Sequence, residues 1–256
     1  MTDDAVVTVV SLFEPTPSRP VLVSGLPGNG YVGKLSAEHL ISVFRAKKFR
    51  EYYSPTFPPQ ANVDEEGRVH ALRGELYLAR TAQANDLLIF TADAQPATSE
   101  GEYELSDMVL KEAKRLGAEM VVSLAAFITG GFTEGGGVYG ASTSAELRAS
   151  LRENGVKMMK EGTVTGMNGL MVGMAKLEGM DGVCLLGETS GYLVDPAASQ
   201  AVIEAMSRLL KMEIDVSTLK ERAAEAKRLI GQIRDMKEPG QAEGAQGPRN
   251  QPGYIG

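Results

Sequence analysis

The sequence has one cysteine, two histidines and no tryptophan among its 256 residues. The lone Cys184 cannot form an internal disulfide, and its apolar neighbours indicate a small buried hydrophobe rather than a reactive thiol. The histidines, His39 and His70, fall on separate predicted elements, so neither a paired general base nor a metal site is predicted. No apolar run approaches the roughly 18 residues that a membrane helix requires. We therefore expect a cytoplasmic protein that does not contact a membrane.

Positive charge is also scarce. The 26 Lys and Arg residues are outnumbered by 33 Asp and Glu, which gives a net charge of −7 and a pI near 5.1. A general nucleic-acid binder needs a basic surface for the phosphates, so this class is not expected. The local basic group is interpreted as a solvated helix end that leads into a strand: Arg45, Lys47, Lys48 and Arg50.

Catalytic motifs are missing as well. The segment Gly140–Ser144 lacks the last glycine of the G-x-S-x-G turn, and Gly187–Gly191 has its serine one place late. No G-x-x-x-x-G-K-[ST] phosphate loop is present. Four acidic residues follow one predicted strand and are interpreted as solvated: Asp86, Asp93, Glu100 and Glu102. The sequence thus predicts no catalytic residue, no metal site and no cofactor, and we expect that the chain is not an enzyme.

The segment from Gly162 to Pro196 organises the predicted core. It contains two strand-like runs around a helical run, and the run 182–187 is apolar throughout, which is typical of a strand buried on both faces of a parallel sheet. Glycines at 166, 169 and 173 share a helical face and predict a close neighbour there. Asp195-Pro196 is a typical helix start. The segment therefore predicts a β-α-β unit.

Further elements follow from apolar periodicity and from turn residues. Residues 67–72 and 75–80, with Gly74 between them, predict a β-hairpin. Additional strands are predicted at 6–13, 21–24, 47–53, 86–91, 120–127 and 156–160, and helices after Gly33, at 103–116, at 144–154, after Pro196 and at 218–237. The glycine-rich residues 130–137 predict a loop that is mobile or closely approached by other backbone.

Residues 28–33 match the G-x-G-x-x-G dinucleotide fingerprint between a strand and a helix. Three details depart from it. Leu26-Pro27 separate the strand from the motif, the next strand offers only Glu51 for a ribose, and loop residues follow where a second β-α unit should begin. Two interpretations remain open, a nucleotide-binding or ligase-like enzyme that uses the turn Gly28–Gly33, and a tight turn whose glycines allow close packing.

The C-terminal part changes character twice. Thr218 to Glu221 form a capping box, and the apolar seam that follows predicts a helix packed on the domain or at a subunit interface: Leu219, Ala223, Ala226, Ile230 and Ile233. Residues 239–256 contain five glycines and three prolines in 18 residues, a composition typical of disorder. Their last three residues, Tyr254, Ile255 and Gly256, are typical of a peptide anchor. We predict three parts, a domain of 1–215, a helix of 216–238 and a tail of 239–256.

Several of these features occur in a characteristic order. They are the segment from Val21 to Lys34, the unit 162–186, the helix after Asp195-Pro196, Ile214-Asp215 before the last helix, and a tail that ends near a tyrosine. In this order the chain resembles the archaeal branch of the proteasome-assembly-chaperone family over residues 6–238. The resemblance implies a three-layer α/β/α domain, related in fold to nucleoside phosphorylases but without their active site.

The resemblance also implies a function. Family members form oligomers and bind proteasome α-subunits without ATP, and several dock through a C-terminal motif of hydrophobic residue, tyrosine and any residue. In that motif the tyrosine is penultimate, whereas Tyr254 is third from the end. The expectation is a homo-oligomeric, ATP-independent proteasome assembly chaperone or core-particle binding protein. Its fold is a three-layer α/β domain with a mixed, largely parallel sheet, and its partner-binding residues are Tyr254, Ile255 and Gly256.

Overall fold

The computed structural model describes residues 7–129 and 136–237, with the backbone alone for residues 230–237. Its strands are β1 (Thr8–Ser11), β2 (Val21–Gly25), β3 (Lys47–Tyr53), β4 (Ala61–Val63), β5 (Val69–Ala71), β6 (Gly74–Ala79), β7 (Leu87–Ala92), β8 (Met120–Ile128), β9 (Val138–Ser142), β10 (Lys157–Met158) and β11 (Asp181–Thr189). Its helices are α1 (Val32–Val43), α2 (Ser99–Arg115), α3 (Ala145–Glu153), α4 (Gly166–Leu177), α5 (Pro196–Leu210) and α6 (Ser217–Lys237).

Nine strands form one sheet in the order β1-β3-β6-β7-β2-β8-β11-β9-β10. The central strands β7-β2-β8-β11 are parallel to one another. The strands β1, β3 and β6 join β7 through antiparallel pairs, and β9 lies antiparallel to β11 and parallel to β10. The predicted mixed sheet is confirmed, with its parallel part at the centre and antiparallel pairs on both sides.

Every residue of β2 and β7 is buried, which explains their largely apolar sequences. Such strands occur where helices cover both faces of a sheet. On one face, apolar residues of α1, α3, α5 and α6 form a core cluster with the inward residues of the central strands. On the other face, α2 and α4 cover a second cluster. The chain is thus a three-layer α/β/α structure, as predicted.

Side chains at the helix N-termini explain where several helices begin. Asp195 Oδ1 accepts a hydrogen bond from the Ala198 N–H of α5 at 2.9 Å, and Ser144 Oγ accepts one from the Leu147 N–H of α3 at 3.3 Å. These acceptors satisfy backbone donors that have no partner within the helix. The predicted cap Thr218 is wrong, because α6 begins at Ser217, whose N–H donates to Asp215 Oδ1 at 2.9 Å.

Two sheet predictions are also wrong. The predicted hairpin does not form, since β5 pairs with β4 in a separate two-stranded sheet, while β6 pairs with β3 and β7. Gly74 belongs to β6 rather than to a turn. A Cβ there would lie 3.1 Å from the Phe90 ring, so the glycine leaves room for this aromatic side chain. The run before α4 forms no strand, and the parallel neighbour of β11 is β8.

The predicted glycine face of α4 is only partly packed. A Cβ at Gly169 would lie closer than 3.0 Å to the backbone of Val164, so this glycine permits a close approach. Nothing lies within 4 Å of a Cβ at Gly173, which is exposed. The predicted loop 130–137 lies largely outside the described residues. No helix in the described ranges is both long and apolar enough to cross a membrane.

A charged cluster lies on β3 and β6. Glu75, whose side chain is 15% exposed, accepts hydrogen bonds at 2.8 Å from Lys48 Nζ, Arg73 Nε and Tyr77 Oη. Burial raises the pKa of Glu75, but the hydrogen bonds from these three side chains lower it by more. The pKa therefore lies below its ordinary value of 4.5. A carboxylate with a lowered pKa stabilises the fold above its ordinary pKa, and this contribution is lost as the pH falls through the folded-state value.

We expect Glu75→Gln to lower the free energy of unfolding by about 1–3 kcal/mol at pH 7, because charge-assisted hydrogen bonds are lost. The difference from the unmodified chain should shrink as the pH falls below 4.5, because the carboxyl of the unfolded chain becomes protonated there before that of the folded chain does. Urea unfolding at pH 7 and at pH 3.5 measures both values. Glu66→Gln is the control, since the Glu66 side chain is 71% exposed. An equal loss at both pH values would contradict this prediction.

Candidate functional site

The predicted partner-binding residues Tyr254, Ile255 and Gly256 lie outside the described residues. The structure does place the other candidate, the turn Gly28–Gly33, between β2 and α1. Gly28 is extended, with φ at −177°, and residues 29–31 form a single 3-10 turn. Gly30 has φ at 61° and Tyr31 at 55°, in the left-handed region that favours glycine. The Gly30 carbonyl accepts a hydrogen bond from the Asp195 N–H at 2.9 Å, which joins this turn to the start of α5.

The glycines of this turn have separate roles. A Cβ at Gly33 would lie closer than 3.0 Å to the Leu124 carbonyl oxygen, so this glycine lets α1 approach β8. A Cβ at Gly30 would lie 2.8 Å from Thr189 Oγ1. Nothing lies within 4 Å of a Cβ at Gly28. Close packing therefore accounts for two of the three glycines of the fingerprint, whereas Gly28 faces open space.

Beside this turn, the structure contains a crevice of about 420 Å³. It lies at the carboxyl ends of the central strands, where α/β folds commonly bind ligands. Six segments of the chain contribute to it, namely the β2–α1 turn, the loop after β7, the first turn of α2, the end of β8, the segment through the start of α4, and β11. Its lining includes Leu26, Gly28, Asn29, Gln95, Glu102, Phe127, Thr163, Thr165, Asn168 and Leu186.

Gln95 holds three of these segments together. Its Nε2 donates a hydrogen bond to the Pro27 carbonyl oxygen at 2.6 Å, and its Oε1 accepts one from the Met167 N–H at 2.9 Å. The second bond satisfies a donor in the first turn of α4, where the N-cap residue Thr165 makes no side-chain hydrogen bond. The loop after β7 is thereby tied both to the β2–α1 turn and to α4.

The electrostatics of the crevice do not suit a phosphate. Over the described parts of the chain, no Lys, Arg or His lines it, and its single ionisable side chain is Glu102. Burial raises the pKa of this carboxyl. The N-terminus of α4 contributes a partial positive charge, but an anion would also approach the Glu102 carboxylate. The crevice therefore lacks the cationic partner that nucleotide phosphates usually find.

Asn168 is an exception to the usual pairing of buried polar groups. It lines the crevice, is 7% exposed, and its Oδ1 is enclosed without a hydrogen-bond partner. Ser24, Ser106 and Ser123 also have unpaired buried hydroxyls. An unsatisfied buried acceptor costs about 1–3 kcal/mol. The Asn168 Oδ1 therefore carries a cost that no protein contact offsets.

The remaining candidates have structural roles. Asp86 is buried and accepts hydrogen bonds from the Ser18 and Thr81 N–H groups, and Asp93 accepts one from the Arg73 N–H. These two carboxylates were interpreted as solvated, which is wrong, because their strand ends place them against backbone donors. Among the four acidic residues, Glu102 lines the crevice.

The histidines and the cysteine agree with their interpretations. His39 is buried, and its Nε2 lies 2.7 Å from the Asp215 carbonyl oxygen, while His70 Nε2 lies 3.0 Å from Asp64 Oδ2. Cys184 is buried, and burial raises the pKa of its thiol to about 12. At neutral pH it is therefore a protonated, enclosed side chain. No cluster of three or more potential metal ligands occurs in the described ranges.

The basic group of the sequence is partly neutralised by ion pairs. Lys48 pairs with Glu51 and Glu75, and the buried Arg50 pairs with Glu14 and Glu112. These pairs hold the β3 strand to β6 and to α2. Arg45 and Lys47 make no ion pair within the described residues. The basic surface at this position therefore consists of these two cations rather than of all four.

An exposed apolar patch adjoins the Gly28–Gly33 turn. A Cβ at Gly191, in the loop after β11, would lie 3.6 Å from Ile128 and 3.7 Å from Asn29, so this loop, the end of β8 and the turn are neighbours. Large apolar side chains that are 46–75% exposed are concentrated on these three segments: Tyr31, Ile128, Tyr192, Leu193 and Val194. We call these five residues the apolar patch. Contiguous exposed patches of this kind often mark protein–protein contacts.

The sequence of this chain is similar to those of known proteins. A model of the PAC2 family matches residues 22–234 of this chain. The uncharacterized protein MJ1210 of Methanocaldococcus jannaschii is 36% identical over 219 residues, which cover 85% of this chain and 84% of that protein. The family match, from residue 22 to residue 234, spans the parallel centre of the sheet and helices on both of its faces.

Two solved structures from Pyrococcus furiosus share the fold. PbaB, described as an archaeal proteasome activator, is 33% identical with a TM-score of 0.84, and the match covers 90% of this chain and 99% of PbaB. PbaA, described as an archaeal homolog of proteasome-assembly chaperone, is 28% identical with a TM-score of 0.74, and the match covers 91% of this chain and 93% of PbaA.

Proposed function

Because the chain belongs to the PAC2 family, we propose that it is a proteasome-binding protein that assists assembly or activity of the core particle without ATP. The likeness to PbaB carries this proposal, since it combines 33% identity with a TM-score of 0.84 over nearly the whole of that protein. A proteasome partner also gives the chain a cytoplasmic site of action. The α-subunits of the proteasome are the proposed binding partner.

The proposed contact has two parts. The first is the C-terminal tip, Tyr254 to Gly256, which would enter pockets on the α-ring. The second is the apolar patch, which offers aromatic and aliphatic side chains of the kind that dominate binding energy at protein interfaces. The tip is supported by sequence alone, and the patch by the exposure of its five residues. Both parts can act together, because the tail links them within one chain.

Self-association is proposed through α6. Leu219 is buried against the domain, whereas Ala223 and Ala226 are half-buried and Leu229 is 49% exposed. Towards Leu229, the described apolar side chains of α6 are thus less covered by their own domain. A second copy of the chain is the proposed partner of this exposed part, and a homo-oligomer would present several tails to one ring.

The alternative of a nucleotide-binding or ligase-like enzyme gains no support from the turn Gly28–Gly33. Two of its glycines serve packing, and no cation from the described residues lines the adjoining crevice. The proposed function of the chain is therefore binding rather than catalysis.

Mixing the full chain with α-rings assembled from the α-subunit of the same genome tests the proposal. We expect co-elution on size-exclusion chromatography without ATP, and no change when ATP is added. Light scattering on the same column should give the free chain a mass above 27.3 kDa, the mass of one copy. Absence of co-elution at micromolar concentrations contradicts proteasome binding, and a mass of one copy contradicts self-association.

A further inference from the structure

The geometry points to a ligand site in the crevice, for an uncharged small molecule with hydroxyl or amide groups on an apolar or ring-shaped body. The inference concerns the crevice and goes beyond proteasome binding. The crevice volume of about 420 Å³ falls within the roughly 300–1,000 Å³ of small-molecule sites in proteins. Its walls determine the class of ligand.

Part of the lining is apolar. It includes Leu26 from the β2–α1 turn, Phe127 from β8 and Leu186 from β11. The Phe127 ring is held in place by the Tyr139 ring, with the two centroids 4.0 Å apart and an interplanar angle of 19°. A fixed aromatic ring beside aliphatic side chains favours a flat or apolar part of a ligand.

The lining also carries polar groups that have no protein partner. Asn29, Thr163 and Thr165 line the crevice and make no side-chain hydrogen bond within the described structure. Glu102 forms no ion pair there. Asn168 is only 7% exposed, and its Oδ1 has no hydrogen-bond partner. Hydroxyls and amides both donate and accept, so a ligand with such groups satisfies these side chains.

Charge decides between a neutral and an anionic ligand. The crevice has one carboxyl and, among its described lining residues, no cation. An added phosphate or carboxylate would meet the Glu102 carboxylate, and the partial positive charge at the N-terminus of α4 is too weak to replace a cationic side chain. An uncharged molecule avoids this repulsion. Gly28 also lines the crevice, and a Cβ there would meet no atom within 4 Å.

Matched neutral and anionic probes test the inference on the full chain. The probes are uridine with uridine 5′-monophosphate, and glucose with glucose 6-phosphate. Ligand-observed NMR with titration gives the dissociation constants. We expect at least one neutral probe to bind with a Kd of about 10 mM or tighter, and its monophosphate to bind at least tenfold more weakly. Failure of both neutral probes, or tighter binding of a monophosphate, overturns the inference.

Asn168→Leu identifies the site. This change removes the unpaired oxygen, so we expect Tm to rise by about 2–4 °C while the affinity for the neutral probe falls at least tenfold. A lower Tm would show that the amide is structural, and unchanged affinity would show that binding occurs elsewhere. Either result overturns the inference.

Two further variants keep the test decisive. Thr165→Val changes an exposed residue, so it should fold normally and weaken probe binding severalfold. Asn62→Leu, in the exposed β4 strand, is the matched control and should leave the probe affinity unchanged. A chain that binds α-rings but no probe overturns this inference and leaves the proposed function intact. A chain that binds a neutral probe but no α-rings supports this inference and contradicts the proposed function.

Discussion

Deletion of Tyr254, Ile255 and Gly256 is expected to weaken binding to proteasome α-rings at least tenfold and to leave Tm unchanged. The proposed tether, Pro239 to Gly253, has 15 residues by the sequence numbering. A flexible chain of this length spans about 20 Å on average and about 50 Å at most. The tip can then reach a pocket while the domain contacts the ring elsewhere. Because several tails of one oligomer act at roughly millimolar effective concentration, weak single contacts add up to a large loss on deletion.

The control for this experiment removes three residues from the middle of the tail, Gly244 to Gln246, and keeps the tip. It should bind nearly as well as the intact chain. Addition of one residue after Gly256 separates two modes of recognition. It should reduce affinity about as much as the deletion if the terminal carboxylate is bound, and little if the Tyr254 ring alone is bound. Surface plasmon resonance on immobilised rings measures each case, and full affinity of the three-residue deletion contradicts the anchor.

Gly33→Ala is expected to destabilise the fold by about 3 kcal/mol, which corresponds to a decrease in Tm of about 6–12 °C for a chain of this size. In an ordinary helix the same change stabilises by about 1 kcal/mol. Here the added Cβ would lie closer than 3.0 Å to the Leu124 carbonyl oxygen and 2.9 Å from the Leu26 carbonyl oxygen. Since backbone atoms cannot move aside as a flexible side chain does, α1 must shift away from the sheet.

Gly28→Ala is the matched control, because this glycine has an extended φ and open space around its Cβ. Its effect on the free energy of unfolding should stay within about 0.5 kcal/mol. Thermal unfolding of both variants gives the comparison. If Gly33→Ala proves neutral, or if Gly28→Ala is equally damaging, the packing explanation of the turn is wrong.

Local signals in the sequence are sufficient to predict most of the helices and strands. Asp195 followed by Pro196 predicts the start of α5, because the carboxylate cap and the fixed proline φ act within one turn. The apolar runs of β2, β7 and β11 predict buried strands, since every residue faces a helix layer. These signals lie within short segments and do not depend on what the rest of the chain does.

Long-range pairing explains the errors. Gly74 resembles a turn residue in the sequence, but its strand pairs with two others, and its missing side chain accommodates Phe90. The short β9 has five residues and lies next to a glycine-rich run, so the sequence alone does not indicate a strand there. The sequence predicts solvated carboxylates at Asp86 and Asp93, which is wrong because the backbone donors that bind them come from distant segments.

The crevice had no sequence signature at all. Gln95, Glu102 and Asn168 come from separate loops and helices, and no spacing rule connects them. Gly28–Gly33 supplied a motif beside the crevice but suggested phosphate chemistry, which the lining charges do not support. Only the fold places an unpaired buried amide, a single carboxyl and a fixed aromatic ring around one space.

The position of β2 in the sheet has a consequence for synthesis of the chain. β2 is translated well before β8, one of its two neighbours in the sheet, where Val21 pairs with Met120. At roughly 5–20 residues per second, about 5–20 s pass between translation of these two partners. Throughout that interval the apolar β2 has one unpaired edge, which is a template for aggregation. The nascent chain is therefore open to edge-to-edge pairing with other chains until β8 closes the centre of the sheet.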